Sequence, residues 1–150
     1  MTTIVYCHKT NQIACDSRST NGYMIVTDGA MKHIKVNDLE WFISGRAGEA
    51  YAFANNFKEL DIAMDGLGND AIFISKGSAY LASIDEGRFR SLLLDVNQGI
   101  GSGGYFAMAA LDFGKTAKEA VEYAITKDFA SGGKVHVFDI DTNKFIDDVP

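Results

Sequence analysis

The sequence predicts an α+β sandwich, with two antiparallel sheets packed together and helices covering their outer faces. Three observations carry this reading. Short β-rich runs fill the first third and recur in the middle, separated by turn residues. Stretches of helical period come in blocks, so the helix between consecutive strands that a parallel, doubly wound sheet requires is missing. No linker, charge block or low-complexity segment divides the 150 residues, and the only proline is Pro150, so residues 1–150 read as a single domain.

In chain order, Thr3–Cys7 and Gln12–Asp16 are strands flanking the polar break His8–Asn11, which suggests a hairpin. Tyr23–Val26 and Met31–Val36 follow as strands split by the turn signal Asp28-Gly29. Leu39–Ser44 is nearly all apolar, as expected for a strand covered on both faces. The period then changes. Ala47, Ala50, Tyr51, Ala54 and Phe57 recur at helical spacing and predict a helix to about Leu60. Ala71–Ser75, Ala79–Ile84 and Phe89–Leu94 return to strand, separated by Lys76-Gly77 and Glu86-Gly87. A glycine-rich stretch, Gly99–Gly104, leads into an apolar helix, Tyr105–Leu111. Thr116 with Glu119 forms a capping-box pattern opening a second helix, whose apolar stripe is Ala117, Ala120, Val121, Ala124 and Ile125. Val135–Ile140 is the next strand.

Composition excludes several classes of function. A net charge of −6 argues against nucleic acid, because phosphate binding needs clustered Lys and Arg. No apolar run approaches the roughly 20 residues that span a bilayer. The start MTTIVYCHKT lacks the basic region and apolar core of an export signal, so a cytoplasmic protein is expected. Cys7 and Cys15 fall in apolar runs and read as buried free thiols, and with three scattered His they make no zinc spacing, so no metal or cofactor is expected.

Two chemistries fail on pattern. Gly101-Ser102-Gly103-Gly104 precedes a helix, but a second helix follows where a dinucleotide fold needs a strand, and no Gly-Lys-Ser/Thr is present. His8, His33 and His136 each sit in or beside a strand, and no Gly-x-Ser-x-Gly elbow accompanies them. The amino terminus is more informative. Removal of Met1 would expose Thr2, which then carries a hydroxyl nucleophile and an amine base on one residue; that amine titrates at about 7.7–8.0 in model peptides. Taken alone, Met-Thr-Thr is better explained as an ordinary strand start. Asp16 ends the second strand and Lys32 lies in a later one. A lysine beside the hydroxyl would stabilise developing alkoxide, and a carboxylate would hold that lysine. Gly45, at a strand-to-helix junction, is placed for a backbone N–H to meet an oxyanion.

Taken in order, six segments resemble the proteasome β-subunit and HslV family of N-terminal-nucleophile hydrolases. They are Thr2-Thr3-Ile4-Val5, Ala14-Cys15-Asp16-Ser17, Lys32 with Ile34 and Val36, Ser44-Gly45-Arg46-Ala47-Gly48, Ile100-Gly101-Ser102-Gly103-Gly104, and Asp128-Phe129-Ala130-Ser131-Gly132-Gly133. The chain departs from that family in its short length and in His33, which stands where an apolar residue is usual. The resemblance implies a four-layer αββα sandwich and a threonine peptidase working through an acyl-enzyme. It implies Thr2 as nucleophile, Lys32 and Asp16 as its activating pair, Gly45 as oxyanion donor, and Ser102, Asp128 and Ser131 as supports of the amino terminus. It implies a substrate pocket walled by Ser19, Ala30, Ile34, Ile43 and Ala47. A homo-oligomeric enclosure acting on peptides or unfolded protein follows from it, with an unfoldase ATPase admitted as a partner. Two rival expectations are a silent assembly subunit of the same fold and an amidase acting on a small amide.

Overall fold

The computed structural model describes residues 2–45, 50–56, 70–85 and 88–146. The chain is α+β, and the strand pairings among the described residues are all antiparallel. Its first elements are β1 (Ile4–Cys7), β2 (Gln12–Cys15), β3 (Ser19–Asn21), β4 (Met24–Thr27), β5 (His33–Val36) and β6 (Leu39–Ser44). Helix α1 (Ala50–Asn56) precedes β7 (Asp70–Ser75), β8 (Ser78–Asp85), β9 (Arg88–Leu93) and β10 (Gln98–Ile100). Helices α2 (Gly104–Asp112) and α3 (Ala117–Ile125) lead to β11 (His136–Asp139) and β12 (Lys144–Ile146).

One five-stranded sheet runs β10-β1-β2-β11-β12, the other is the meander β5-β6-β7-β8-β9, and β3 and β4 form a separate hairpin. Local chemistry fixes the meander's turns. Asn37 and Asp38 adopt φ of 53° and 62°, and Lys76 and Gly77 adopt 51° and 78°. Two successive left-handed residues match the twist of a tight hairpin.

Alternation along the strands separates three cores. Ile4, Tyr6, Ile13 and Cys15 of the first sheet meet Phe42, Ile72 and Ile74 of the second. The opposite face of the first sheet presents Val5, Ala14 and Val137 to α2 and α3, where Ala107, Ala110, Ala117, Ala120, Val121 and Ala124 are small enough for close approach. The opposite face of the second sheet places Trp41, Ile43 and Phe73 against Phe53 of α1. β6 therefore buries both of its faces, as its apolar run predicts. The capping box of α3 is complete: Thr116 accepts from the Glu119 N–H, and the Glu119 side chain accepts from the Thr116 N–H.

The sequence reading needs correction at three places. The strand at residues 24–27 pairs backward with β3 across Gly22, whose φ is 59°, while Asp28-Gly29 carries the chain to the other sheet. Part of the glycine-rich stretch is itself a strand, β10, because it pairs with β1. β12 carries one aromatic in three residues, too short to show a period, and is defined by its pairing with β11. Of the helix expected over 47–60, α1 is observed, and 47–49 and 57–60 lie outside the described residues. No helix among the described residues is long and apolar enough to cross a membrane.

Candidate active site

Strand register gathers the predicted residues at one end of the two sheets. Ile4 lies opposite both Ile100 and Cys15, so the residues just outside that register, Thr2 and Thr3, meet Gly101–Gly103 on one side and Asp16 on the other. His136 also lies opposite Cys15, which brings the segment preceding β11 to the same place, and the Ser17 N–H donates to the Gly132 carbonyl at 3.0 Å. In the second sheet the Ile43 N–H donates to the Lys32 carbonyl, extending the β5–β6 ladder toward Gly45.

Asp16 is fully buried at the centre of this cluster. Its Oδ1 accepts from the Thr3 N–H at 3.0 Å and the Thr2 hydroxyl at 3.4 Å. Its Oδ2 accepts from the N–H groups of Gly132 at 3.0 Å and Arg18 at 3.2 Å. Burial pushes the Asp16 carboxyl above its ordinary value, and the nearby Lys32 charge and the three N–H groups oppose that rise. Burial in turn pushes Lys32 below the ordinary lysine value, against the pull of Asp16. The Lys32 ammonium donates to the Arg18 carbonyl at 2.5 Å. The buried Cys15 thiol is pushed up to about 12, first by burial and then by Asp16.

A second network grips the amino-terminal segment. Ser102 and Ser131 each donate to Asp128 Oδ2 at 2.6 Å, and the Ala130 N–H donates to Oδ1. Because the Ser131 proton points to Asp128, Thr3 is the donor in its 2.6 Å contact with Ser131 Oγ. The Gly103 N–H donates to the Thr2 carbonyl at 3.2 Å. Two glycines here are dictated by space. A Cβ on Gly101, where φ is 83°, would overlap the Thr2 carbonyl, and one on Gly103 would overlap the Thr3 hydroxyl.

Thr2, Asp16, Ser102, Asp128 and Ser131 are thus joined by hydrogen bonds that meet through Thr3, with Lys32 electrostatically coupled to Asp16. Gly45 follows β6 directly with φ of 104°. Of the expected pocket residues, Ile34 and Ile43 lie together in the cluster on the α1 side, where Ile43 is 7% exposed. Ser19 lies on the hairpin, Ala30 donates its N–H to the Ser17 carbonyl, and Ala47 lies outside the described residues. Sequence reasoning missed Thr3, Arg18 and Asp28. Arg18 pairs with Asp28 through Nε at 2.7 Å and Nη2 at 3.1 Å, and its Nη1 donates to the Phe129 carbonyl at 3.0 Å. That pairing holds the Asp28 carboxyl below its ordinary value. Among the described residues no His, Cys, Asp and Glu grouping could hold a metal ion.

No protein-family model and no curated protein sequence matches the chain. It is similar to a solved structure named Thiobacillus denitrificans BPH, with 19% identity and a TM-score of 0.67 over 91% of this chain and 95% of that one. At that identity the likeness speaks for a shared fold, and the chemistry must be read from this chain's own side chains.

Proposed function

We propose that this chain is a threonine-type peptidase of the N-terminal-nucleophile class, a four-layer αββα sandwich that becomes active when removal of Met1 frees the Thr2 amine. The observation that carries the reading is the convergence on Thr2 and Thr3 of two separate polar networks, Asp16 with Lys32 and Ser102–Asp128–Ser131. An ordinary strand end needs neither, since satisfying one chain end does not call for two carboxylate-centred networks, one of them on the fully buried Asp16. In this mechanism the Thr2 hydroxyl attacks the scissile carbonyl and its proton passes to the free α-amine. Lys32, held by Asp16, lowers the cost of the developing alkoxide. The Gly45 N–H receives the oxyanion, the amine returns the proton to the leaving peptide, and water hydrolyses the acyl-enzyme. Ser102, Asp128 and Ser131 orient the amino terminus.

The substrates are peptides or unfolded protein in the cytoplasm, with an unfoldase ATPase compatible as a partner. The working form is a homo-oligomer. Tyr23, Met24 and Val26 of the hairpin and Tyr105 and Phe113 at the ends of α2 are each 57% exposed or more, an apolar surface that assembly would cover. Intact-mass measurement of the native protein, followed by incubation with a hydroxyl-directed covalent peptide inhibitor, tests the reading. Loss of Met1 and one inhibitor adduct on Thr2 are expected; an unmodified Thr2 in processed protein refutes it. The second reading, a silent assembly subunit, is favoured by the 1% exposure of Thr2, whose hydroxyl is turned to Asp16. Retention of Met1 in the native protein selects it.

A further inference from the structure

Arg18 occupies a position that the reaction described above does not use. Its two backbone groups touch both members of the charged pair: its N–H donates to Asp16 Oδ2, and its carbonyl accepts from the Lys32 ammonium. Its side chain reaches outward and fastens two other segments. One is the residue 28 region, which leads into Lys32, through the two-point ion pair with Asp28; the other is the Phe129 carbonyl, between Asp128 and Ser131. The neighbouring backbone is shaped to admit it, because a Cβ on Gly132 would overlap the guanidinium. Ser17 braces the same junction, donating within reach of the Asp28 and Lys134 carbonyls at 2.9 and 2.8 Å.

We propose that the Arg18–Asp28 ion pair is a positioning clamp, which sets where the Arg18 backbone presents its N–H to Asp16 and its carbonyl to Lys32. The catalytic part of this inference rests on the peptidase reading; the structural part does not. A planar guanidinium held at two of its nitrogens by one carboxylate and at the third by a carbonyl has little freedom to rotate. The peptide planes on either side of residue 18 are restrained with it. A lysine at this position would keep the charge and lose the two-point geometry.

The test uses the full processed chain and three variants, Asp28→Asn, Arg18→Met and Arg18→Lys. Asp28 is 45% exposed at its side chain, and the asparagine is its isostere, so that variant keeps the fold even where Arg18→Met does not. The first readout is the titration of the Lys32 side chain by carbon-13 NMR, assigned by its loss in Lys32→Met. Releasing the clamp admits water to the Arg18–Lys32 contact, and the Lys32 midpoint is expected to move toward the ordinary lysine value by about half a unit or more. The second is turnover of a fluorogenic peptide, where kcat is expected to fall about 10-fold or more with KM little changed, since small misplacements of reacting groups are that costly. Arg18→Lys is expected to restore only part of both. A Lys32 midpoint that matches wild type in Asp28→Asn overturns the clamp, and so does a shifted midpoint with unchanged kcat. A shifted midpoint in a protein whose wild type never labels at Thr2 leaves the clamp standing and sinks the peptidase reading instead.

Discussion

Replacing Ser131 by alanine deletes the one oxygen that joins Thr3 to Asp128. Ser131 is wholly buried, as is Thr3, so water cannot take its place without opening the loop. Two contacts of 2.6 Å disappear together, one to a carboxylate and one from a hydroxyl. A hydrogen bond to a charged group contributes about 1.5–3 kcal/mol, and a buried hydroxyl left without its acceptor costs about 1–3 kcal/mol. Asp128 keeps Ser102 and the Ala130 N–H, which places the expected loss near the lower end of that sum, about 3 kcal/mol. For a chain of this size each kcal/mol moves the midpoint by roughly 2–4 °C, so Tm should fall by about 6–12 °C. Thermal unfolding of wild type, Ser131→Ala, Thr3→Val and the double variant completes a cycle, in which a coupling of about 1 kcal/mol or more is expected between the two sites. A Ser131→Ala protein within about 1 °C of wild type, or strictly additive losses, refutes the buried relay.

Other outcomes follow from the same geometry. Thr2→Ala should abolish peptide cleavage while leaving assembly by light scattering intact, and Lys32→Met should lower kcat by about 10²–10³-fold. Turnover of either at the wild-type rate removes that residue from the mechanism. Asp16 has a folded value raised above its unfolded one, so its contribution is fully present below the unfolded value and is lost as pH rises through the folded one. The Tm of Asp16→Asn relative to wild type should therefore climb as pH is raised from the unfolded carboxyl value through the raised folded one, and a difference that is flat or falls with pH contradicts the assignment. Cys15 should resist a thiol reagent at pH 8 in the native state and react once denatured, since its thiol is buried and pushed up to about 12. Peptides with Leu, Tyr or Phe before the scissile bond should outpace Arg or Glu peptides, because uncharged walls give a charged side chain no partner. The reverse order, with Thr2 confirmed, discards the pocket assignment alone.

What could be read from the sequence was whatever local chemistry determines. Thr116 and Glu119 announce the start of α3, and its small apolar stripe is buried as its period requires. The doubly buried β6 and the Lys76-Gly77 turn are equally plain, because each depends on neighbours within a few residues. Thr2, Asp16, Lys32 and Gly45 stood out on their chemistry, each weakly when taken alone, and the family resemblance added Ser102, Asp128 and Ser131. Thr3 escaped because its role comes from the β1–β10 and β2–β11 registers, and no window of adjacent residues encodes a pairing between Cys15 and His136, while Arg18 and Asp28 meet only because Ser19 pairs with Thr27 in the hairpin between them. The hairpin of β3 and β4 was misassigned for a related reason: Ser19–Asn21 is polar and three residues long, so it becomes a strand only when its partner is present.

The grip on the amino-terminal segment also has a temporal side. Thr3 is joined to Ser131 across 128 residues, Asp16 to Gly132 across 116, and the Thr2 carbonyl lies beside Ser102 across 100. Contacts of such separation are the slowest to close and close together with the completed sheet. During synthesis, Thr3 and Asp16 wait for partners that follow them by 128 and 116 residues before their side chains are aligned. A chain interrupted before residue 128 holds Thr3 without Ser131 and Asp16 without the Gly132 N–H, so the segment stays incompletely fastened until the last third of the fold is made.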